Sequence, residues 1–325
     1  MLRTILKTTF FGAVLLSFAG AHGALAQSDN RPIRIIIGFG PSSTADVAAR
    51  VLGHQMEQDL GVPVIVENRP GNSSMLAAEH VARASNDGKT LFMATVANTL
   101  YPARDNSGFD LATKLQPVAL VGSVPNVLVA NPSIKPKSFA DLVTAAKATP
   151  RAFTFGTSGQ WTAAHMGVEM FNLQAGTKIV SVPYQGSNQT LTDVLGGQIN
   201  LMWGAAITVA PYVNDGKLIA LAVGQSKRTD FLANVPSMPE LGMPDFDISI
   251  WMGLLAPPGT AANVVDRLSD AVLTALAKEP VQAAFKRQGI EAQGMDAAAF
   301  KKFVQADSDK WKRILEQTGL TKAAN

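Results

Sequence analysis

The sequence predicts an α/β fold of two lobes, each built on a mainly parallel sheet flanked by helices. Short apolar runs with the composition of buried strands alternate with helical patterns along the chain, and this alternation is typical of parallel sheets. The chain has 325 residues, which is long for a single hydrophobic core and sufficient for two. Apolar residues make up 47% of the chain and charged residues only 16%, so there is enough apolar surface to fill both cores.

The N-terminal segment has the pattern of a secretory signal peptide and is left out of the predicted fold. Arg3 and Lys7 give this segment a basic start. The apolar residues 10–21 that follow are too few to span a bilayer, and Ala24-Leu25-Ala26 forms a cleavage site of small residues. We therefore expect residues 1–26 to be removed after Ala26, which leaves 299 of the 325 residues as a periplasmic protein.

The composition of the predicted mature chain excludes several classes of protein. Its 26 lysines and arginines nearly balance its 25 aspartates and glutamates, so no basic surplus indicates a nucleic-acid partner. The absence of cysteine excludes disulfides and thiolate metal sites. The three histidines, His54, His80 and His165, lack the spacing of a metal-binding pair on a helix. We therefore expect no metal and no cofactor.

The first strand–helix unit carries the first of two loops that contain paired serines. A strand is predicted at residues 33–37 and a helix at residues 44–60, with Gly-Phe-Gly-Pro-Ser-Ser at residues 38–43 between them. Ser43 and Asp46 have the spacing of a capping box, which marks the start of the helix. A helix N-terminus offers unpaired N–H groups and a partial positive charge, so the loop is a candidate cradle for an anion.

The second strand–helix unit repeats this arrangement. Asn68-Arg69-Pro70-Gly71-Asn72-Ser73-Ser74 follows a predicted strand at residues 62–67 and precedes a predicted helix at residues 75–84. The hydroxyl groups add donors that can rotate to suit an anion. Two such loops so close together indicate capture of a small polar or carboxylated ligand.

The remaining elements divide at two predicted crossovers between lobes. Two apolar stretches flank Pro125 within residues 115–130, and Asn131-Pro132 interrupts the pattern, so we place the first crossover there. The return is predicted at residues 248–255. Between the crossovers, strands are predicted at residues 153–155, 179–182, 201–203 and 219–223, and helices at residues 138–148, 162–173 and 187–195.

Eight ordered segments resemble the substrate-binding proteins of tripartite tricarboxylate transporters, the Bug family. The resemblance extends from Arg31 to about Leu320, nearly the whole predicted mature chain. The segments are Pro32-Ile33-Arg34, Val64-Ile65-Val66-Glu67-Asn68-Arg69-Pro70-Gly71, Asp87-Gly88-Lys89-Thr90-Leu91, Pro125-Asn126-Val127-Leu128-Val129 with Asn131-Pro132-Ser133, Val182-Pro183-Tyr184-Gln185-Gly186-Ser187, Leu191-Thr192-Asp193-Val194-Leu195-Gly196-Gly197-Gln198-Ile199, Asn234-Val235-Pro236-Ser237 and Trp251-Met252-Gly253-Leu254-Leu255-Ala256-Pro257.

The resemblance implies a periplasmic-binding-protein fold of type II, the Venus-flytrap arrangement, in which two lobes close on a ligand. On this basis residues 27–130 and 252–325 are predicted to form lobe 1, and residues 131–251 lobe 2. The resemblance also implies a receptor that delivers a solute, usually a carboxylate, to the membrane permease of a tripartite tricarboxylate-type transporter. We expect such a receptor to work as a monomer.

In this family the first strand-to-helix loop and a facing loop of the second lobe hold the carboxylate, partly through backbone amides and water. The matching segments here are residues 39–46 and 157–165. With the second serine loop and the turn at residues 183–187, they supply the candidate ligand-binding residues Phe39, Ser42, Ser43, Thr44, Asp46, Ser73, Ser74, Thr157, Ser158, Trp161, Thr162, His165, Tyr184, Gly186 and Ser187.

Several positions depart from the family pattern and indicate where the specificity of this chain lies. The departures are Ser42, Ser43, Ser73 and Ser74 in place of glycine, Trp161 in place of a small residue, and Asn200 and Gly204 in place of acidic residues. A tryptophan in a binding loop favours a ligand with an apolar or aromatic body.

Most of these candidates also have a purely structural interpretation, and the residues alone leave both open. The serine and threonine hydroxyls either bind ligand or cap helices, and Asp46 either contacts a ligand amine or, as we favour, holds its loop. Trp161 either stacks on the ligand or packs within its loop. For His165 we favour a hydrogen-bonded structural role.

A sensor and a hydrolase are the alternatives to transport. The sequence Gly-Thr-Ser-Gly-Gln at residues 156–160 departs from a Gly-x-Ser-x-Gly elbow at Gln160, and no nucleophile–base pair is evident. Residues 38–43 also lack the last glycine of a dinucleotide loop. We therefore predict that the protein is not an enzyme. A sensor that docks on a membrane signalling protein would use the same cleft, so the sequence leaves that alternative open.

Overall fold

The computed structural model describes residues 30–105 and 108–320, so the predicted signal peptide lies outside the described residues. The strands are β1 (Ile33–Ile37), β2 (Val64–Asn68), β3 (Thr90–Thr95), β4 (Gln116–Val124), β5 (Asn126–Ala130), β6 (Thr154–Thr157), β7 (Val180–Pro183), β8 (Leu201–Ala205), β9 (Ile219–Val223), β10 (Ile250–Ala256) and β11 (Glu291–Met295). The helices are α1 (Thr44–Leu60), α2 (Met75–Ala82), α3 (Ala97–Asp105), α4 (Leu111–Lys114), α5 (Phe139–Ala148), α6 (Ala163–Ala175), α7 (Ser187–Leu195), α8 (Ala206–Asn214), α9 (Ala262–Leu276), α10 (Glu279–Arg287) and α11 (Ala297–Thr318). Short 3-10 turns lie at Asn72–Ser74, Asp230–Leu232 and Pro239–Leu241.

The first sheet contains six strands in the order β11-β4-β10-β3-β1-β2. β1 pairs in parallel with β2 and β3, whereas β10 runs antiparallel to β3 and β4, and β11 runs antiparallel to β4. β1, β2, β3 and β4 therefore share one direction, and their carboxyl ends meet at one edge of the sheet. The two serine loops leave this edge after β1 and β2.

The second sheet contains five strands in the order β7-β6-β8-β5-β9. β6 pairs in parallel with β7 and β8, and β5 runs antiparallel to β8 and β9. Each sheet is therefore mixed, with most of its strands in one direction and helices around it. This arrangement confirms the predicted fold class.

The chain passes from the first sheet to the second at Pro125, between β4 and β5. The predicted position of this crossover, Asn131-Pro132, is wrong, because β5 precedes it and already pairs with β8 and β9 in the second sheet. Both flanks of Pro125 are buried and apolar, so hydrophobicity alone does not show which sheet each flank joins. The return to the first sheet lies inside the predicted residues 248–255, because β10 begins there. The Asn126 side chain donates to the Ile248 carbonyl at 3.0 Å, which places the two crossovers side by side.

Hydrophobic clusters cover both faces of the first sheet, and one of them continues into the second sheet. This shared cluster contains Phe92 of β3, Phe155 of β6 and Trp203 of β8, together with apolar faces of α6 and α11. A second cluster packs α1, α9 and α10 against the first sheet. Burying each large apolar side chain contributes roughly 1.5–3 kcal/mol, so the shared cluster is a strong link between the sheets.

α1 has the predicted bounds because both of its ends are set by local signals. The Ser43 hydroxyl accepts a hydrogen bond from the Asp46 backbone N–H at 3.3 Å. Gly61 adopts a left-handed conformation (φ 66°) and donates its N–H to the Glu57 carbonyl, which ends the helix. Within residues 30–105 and 108–320, no helix combines the length and hydropathy that a bilayer crossing requires.

Candidate ligand-binding site

The β1–α1 loop is held in place by the buried carboxylate of Asp46. This carboxylate accepts hydrogen bonds from the Ser42 backbone N–H at 3.0 Å, the Arg50 Nε at 3.1 Å and the Asn68 Nδ2 at 2.9 Å. Burial opposes ionisation, but these hydrogen bonds outweigh it and hold the pKa of Asp46 below its ordinary value. With its oxygens occupied in this way, Asp46 has the structural role favoured from the sequence. Its carboxylate bonds to the N–H of Ser42 and not to that of the cap Ser43, as a standard capping box would require.

The hydroxyls of the β1–α1 loop differ in their surroundings. The Ser43 hydroxyl accepts the cap hydrogen bond of α1, so part of its hydrogen-bonding capacity is used. Ser42 and Thr44 are exposed, and within the described residues neither hydroxyl has a hydrogen bond. Phe39 packs its ring against the core of the first sheet, while its carbonyl accepts from Asn68 Nδ2 at 3.1 Å. This loop therefore presents two uncommitted hydroxyls beside the N-terminus of α1.

The β2–α2 loop has an unusual backbone that places Ser74 against the β1–α1 loop. Asn72, Ser73 and Ser74 have φ angles of 47°, 50° and 75°, and such left-handed residues persist only where the surrounding structure imposes them. A Cβ atom built on Gly38 would lie 2.0 Å from the Ser74 Oγ, so glycine is required for this approach. The Ser74 side chain is buried, and its Oγ has no hydrogen-bond partner among the described residues. The two serine loops therefore meet at the carboxyl edge of the first sheet.

The carboxyl end of β6 supplies a second buried hydroxyl. Thr157 is the last residue of β6; it is fully buried, and its Oγ1 has no partner among the described residues. Ser158 is the next residue and half-buried. The Thr162 hydroxyl caps α6 by accepting from the His165 N–H at 3.2 Å and donates to the Gly159 carbonyl at 2.8 Å. Thr162 therefore shapes this loop, whereas the buried Thr157 hydroxyl has no partner among the described residues.

The turn after β7 lies beside Thr157, although its tyrosine hydroxyl is used internally. The Tyr184 N–H donates to the Thr157 carbonyl at 2.9 Å, and the Tyr184 hydroxyl donates to Asp193 at 2.8 Å. Burial and the neighbouring Asp193 raise the pKa of Tyr184. Gly186 precedes α7 without a side-chain cap, and Ser187, the first residue of that helix, is exposed. The N–H group and the hydroxyl hydrogen of Tyr184 are therefore both engaged within the protein.

Trp161 and His165 form an aromatic pair at the start of α6. Their ring centres lie 6.0 Å apart in an edge-on arrangement, and Trp161 has a left-handed backbone (φ 62°). Burial lowers the pKa of His165, which keeps the imidazole neutral at neutral pH. Its Nδ1 is buried without a partner among the described residues, and its Nε2 lies 3.9 Å from Glu169. Among the described residues neither ring nitrogen has a hydrogen bond, so the structure does not confirm the expectation of a hydrogen-bonded structural histidine.

Arg104, on α3 of the first sheet, was not among the predicted site residues, although it contacts the β6–α6 loop of the second sheet. Its guanidinium lies 4.3 Å from the centre of the Tyr101 ring and 5.3 Å from the centre of the Trp161 ring. The Tyr101 hydroxyl in turn bonds to the Asn72 side chain of the second serine loop. The sequence signal that could have identified Arg104 is a tyrosine and an arginine three residues apart on the helix after β3. This spacing puts both side chains on one face of the helix.

Two positions predicted to determine specificity have structural roles. The Asn200 Oδ1 accepts from the Thr154 N–H at 2.8 Å and from the Thr154 hydroxyl at 3.1 Å, which ties β6 to the start of β8. A Cβ on Gly204 would lie 2.4 Å from a methyl group of Val209, so close packing requires glycine there. Asn200 therefore has a structural role, and its predicted effect on ligand specificity stays a prediction.

The candidate residues form two groups, one on each sheet. Phe39, Ser42, Ser43, Thr44, Asp46, Ser73 and Ser74 lie on the first sheet, and Thr157, Ser158, Trp161, Thr162, His165, Tyr184, Gly186 and Ser187 lie on the second. Among the described residues, no hydrogen bond or ion pair joins the two groups directly. The chain of contacts through Asn72, Tyr101 and Arg104 to Trp161 connects them.

Comparison with known proteins identifies the family. The family model described as the tripartite tricarboxylate transporter family receptor, TctC, matches residues 48–320. Protein BugT of Bordetella pertussis is 32% identical over 295 residues, which cover 89% of this chain and 90% of that protein. The structure of the periplasmic binding protein BugD has a TM-score of 0.67 and 28% identity, over 90% of this chain and 99% of that one. The structure of R. palustris Rpa4515 with adipate has a TM-score of 0.70 and 28% identity, over 90% of this chain and 98% of that one.

The chain therefore belongs to the TctC receptor family of tripartite tricarboxylate transporters. Its fold is that of a periplasmic binding protein, and its family consists of solute-binding receptors, not enzymes.

Proposed function

We propose that this protein captures a small organic carboxylate between two lobes and delivers it to the membrane permease of a tripartite tricarboxylate-type transporter. The lobes are those predicted from the sequence, with β5 taken into the second. The protein acts in the periplasm as a monomer after removal of residues 1–26. The observation that carries the proposal is the meeting of the two serine loops at the edge of the first sheet, where Ser74 has a buried hydroxyl without a partner among the described residues.

The charges around the two serine loops favour recognition of a ligand carboxylate by neutral hydrogen-bond donors. Arg50 is paired with Asp46 at 3.0 Å, and Arg69 is paired with Glu67 at 3.3 Å. Because both cations already have carboxylate partners, a ligand carboxylate is bound by backbone N–H groups at the start of α1 and by hydroxyls. A helix N-terminus is suited to this because it combines unpaired donors with a partial positive charge. Water completes the remaining hydrogen bonds.

The second group of residues favours a ligand with an apolar or aromatic body. Trp161 offers a large ring next to a neutral His165, and neither adds charge to the site. The buried Thr157 hydroxyl provides one polar contact on this side. The structural relative with bound adipate supports a carboxylated ligand, since adipate carries a carboxylate at each end of an apolar chain.

Thermal unfolding with a panel of acids tests this proposal. The panel contains aliphatic dicarboxylates such as adipate, aromatic monocarboxylates such as benzoate, neutral sugars and amines. A carboxylate present at 100 times its Kd is expected to stabilise the protein by roughly 2.7 kcal/mol, which appears as a higher Tm. A shift with sugars or amines and none with any carboxylate would contradict the proposal.

A pair of serine variants separates binding from stability. Ser74→Ala removes a buried hydroxyl without a partner from the proposed site, and Ser269→Ala removes one from α9, outside that site. We expect Ser74→Ala to weaken carboxylate binding about tenfold by calorimetry, the effect of losing one hydrogen bond of roughly 1.5 kcal/mol. Ser269→Ala should leave affinity unchanged. Equal affinities for both variants would argue against a ligand contact at Ser74.

A further inference from the structure

A stacked arginine links α3 of the first sheet to the β6–α6 loop of the second. Arg104 lies between the rings of Tyr101, on its own helix, and Trp161, with distances of 4.3 Å and 5.3 Å from guanidinium to ring centre. Both distances are within the range of a cation–π contact. One side chain therefore contacts a ring of α3, on the first sheet, and the ring of Trp161, which belongs to the candidate ligand residues of the second sheet.

The neighbours of Arg104 fix its orientation. Its Nε and Nη2 donate to the two carboxylate oxygens of Asp105 at 2.6 Å and 2.8 Å, a two-point contact that holds the guanidinium plane. The Arg104 side chain is only 18% exposed, so the contact is partly shielded from water. Tyr101 is anchored to Asn72, the residue before Ser73 and Ser74. The contacts of Arg104, Tyr101 and Asn72 therefore run without a break from the β6–α6 loop to the second serine loop.

We propose that Arg104 is a positioning residue that clasps Trp161 and so holds the β6–α6 loop against the second serine loop in the ligand-binding form. This inference rests on the proposed function, because it concerns closure of the same site. Asp105 already balances the charge of Arg104, so Arg104 acts by stacking and not as the counter-ion of a ligand carboxylate. Tyr101, Arg104 and Trp161 together are named the clasp.

A clasp and a counter-ion have different effects on selectivity. Loss of a clasp lowers the population of the closed form, so the apparent affinity for every ligand falls by the same factor. Loss of a counter-ion weakens the binding of dicarboxylates more than the binding of monocarboxylates. A cation–π contact changes an equilibrium constant by about two- to thirtyfold, so we expect the loss of apparent affinity to lie in this range.

The experiment measures Kd and release rate for one mono- and one dicarboxylate with Arg104→Met and Arg104→Lys. We expect both variants to bind both acids more weakly, by one common factor within two- to thirtyfold for Arg104→Met, and to release them faster. Arg104→Lys keeps the charge but loses the planar fork, so it should recover only part of the affinity. Arg83→Met is the matched control, because Arg83 forms an exposed ion pair with Glu79 on α2. Unchanged affinities, or a loss confined to the dicarboxylate, would overturn the clasp.

A double-mutant cycle tests the clasp even without a ligand. Arg104→Met, Trp161→Leu and the double variant are compared by urea unfolding of the ligand-free protein. We expect the double variant to be more stable than the sum of the two single effects implies, since each single change already breaks the same contact. Strict additivity would overturn the clasp. If no carboxylate binds the unaltered protein, the proposed function fails, and this cycle still decides whether Arg104 and Trp161 interact.

Discussion

At the scale of single residues, Asp46 shows how a buried carboxylate can build a binding loop without contacting a ligand. Arg50, Asn68 and the Ser42 N–H all donate to it, so it joins the β1–α1 loop to the end of β2. The backbone N–H groups of the loop are thereby held in position for an anion. The charge of Asp46 itself is balanced by Arg50.

Replacing Asp46 by alanine should lower the free energy of unfolding by about 1.5–3 kcal/mol, because it leaves buried donors without an acceptor. The measurement is urea unfolding at pH 7, with the exposed Asp270→Ala on α9 as the control, expected within about 0.5 kcal/mol of the unaltered protein. An Asp46→Ala variant as stable as the control would show that the carboxylate is dispensable.

Because the pKa of Asp46 is lowered in the native state, the contribution of Asp46 to the free energy of unfolding depends on pH in a direction that can be stated. The native pKa lies below the unfolded value of 3.8, so the stabilisation is complete above that value and is lost as the pH falls through the native pKa. The stability difference between the unaltered protein and Asp46→Asn should therefore shrink below about pH 4. A difference that grows as the solution is acidified would contradict this assignment.

Gly38→Ala should disrupt the meeting of the two serine loops. The added Cβ would lie 2.0 Å from the Ser74 Oγ and 2.5 Å from the Ser74 Cα, so the backbone must move. We expect a loss of about 1–3 kcal/mol in unfolding free energy and weaker carboxylate binding. Adding Ser74→Gly should give little rescue because the clash with the Cα remains. Gly40→Ala is the control, since a Cβ there would meet no described residue within 4 Å apart from its chain neighbours.

Single residues also show what the sequence could not predict about the site. The positions of the serines were evident, but the burial of Ser74 depends on a contact with Gly38 that no local pattern encodes. The same holds for Asn200, whose hydrogen bonds to Thr154 join residues far apart in sequence. Arg104 was missed because its partner Trp161 belongs to the other sheet.

At the scale of elements, the N-terminus of α1 combines a structural cap with a proposed anion site. Ser43 caps the helix, whereas Ser42 occupies the left-handed region (φ 65°), which glycine adopts without strain. The family pattern of glycines at these positions is compatible with this geometry. The Ser43 hydroxyl therefore serves the helix cap, whereas the Ser42 hydroxyl has no role in the backbone geometry.

Ser42→Gly with Ser43→Gly should change ligand preference more than stability. Glycine is a nearly adequate cap, at a cost of a few tenths of a kcal/mol, and it relieves the strained conformation at Ser42. We expect Tm to change by less than about 3 °C, while relative affinities across the carboxylate panel change severalfold. Selectivity identical to that of the unaltered protein would place specificity elsewhere.

The sequence predicted element ends well where local chemistry sets them. Ser43, Gly61 and Thr162 act as caps, and α1 has the predicted bounds. The crossover was predicted at Asn131-Pro132 and not at Pro125, because strand pairing depends on residues far apart in sequence. β5 is buried along its whole length, so its apolar character does not show which sheet it joins. The family resemblance predicted the fold, but only the structure shows that β5 belongs to the second sheet.

At the scale of the whole molecule, Glu291 provides a second link between the sheets. This β11 residue accepts from the Thr229 hydroxyl at 2.6 Å, the Asp230 N–H at 3.2 Å and the Gln225 side chain at 3.2 Å. The three donors follow β9 of the second sheet, so one carboxylate restrains the separation of the two sheets.

Glu291→Ala should shift the ligand-free protein towards an open form. We expect a larger radius of gyration by small-angle scattering and a uniform loss of affinity for all carboxylates, because the closed form becomes less populated. Glu316→Ala, an exposed change on α11, is the control. An unchanged radius together with unchanged affinities would show that Glu291 does not restrain opening.

A crystal structure of the complex with the carboxylate that gives the largest thermal shift would show where the ligand binds. We expect its carboxylate group within hydrogen-bonding distance of the N–H groups at the start of α1 and of the Ser74 or Thr157 hydroxyl, with the body of the ligand beside Trp161. A carboxylate bound away from both serine loops would contradict this expectation.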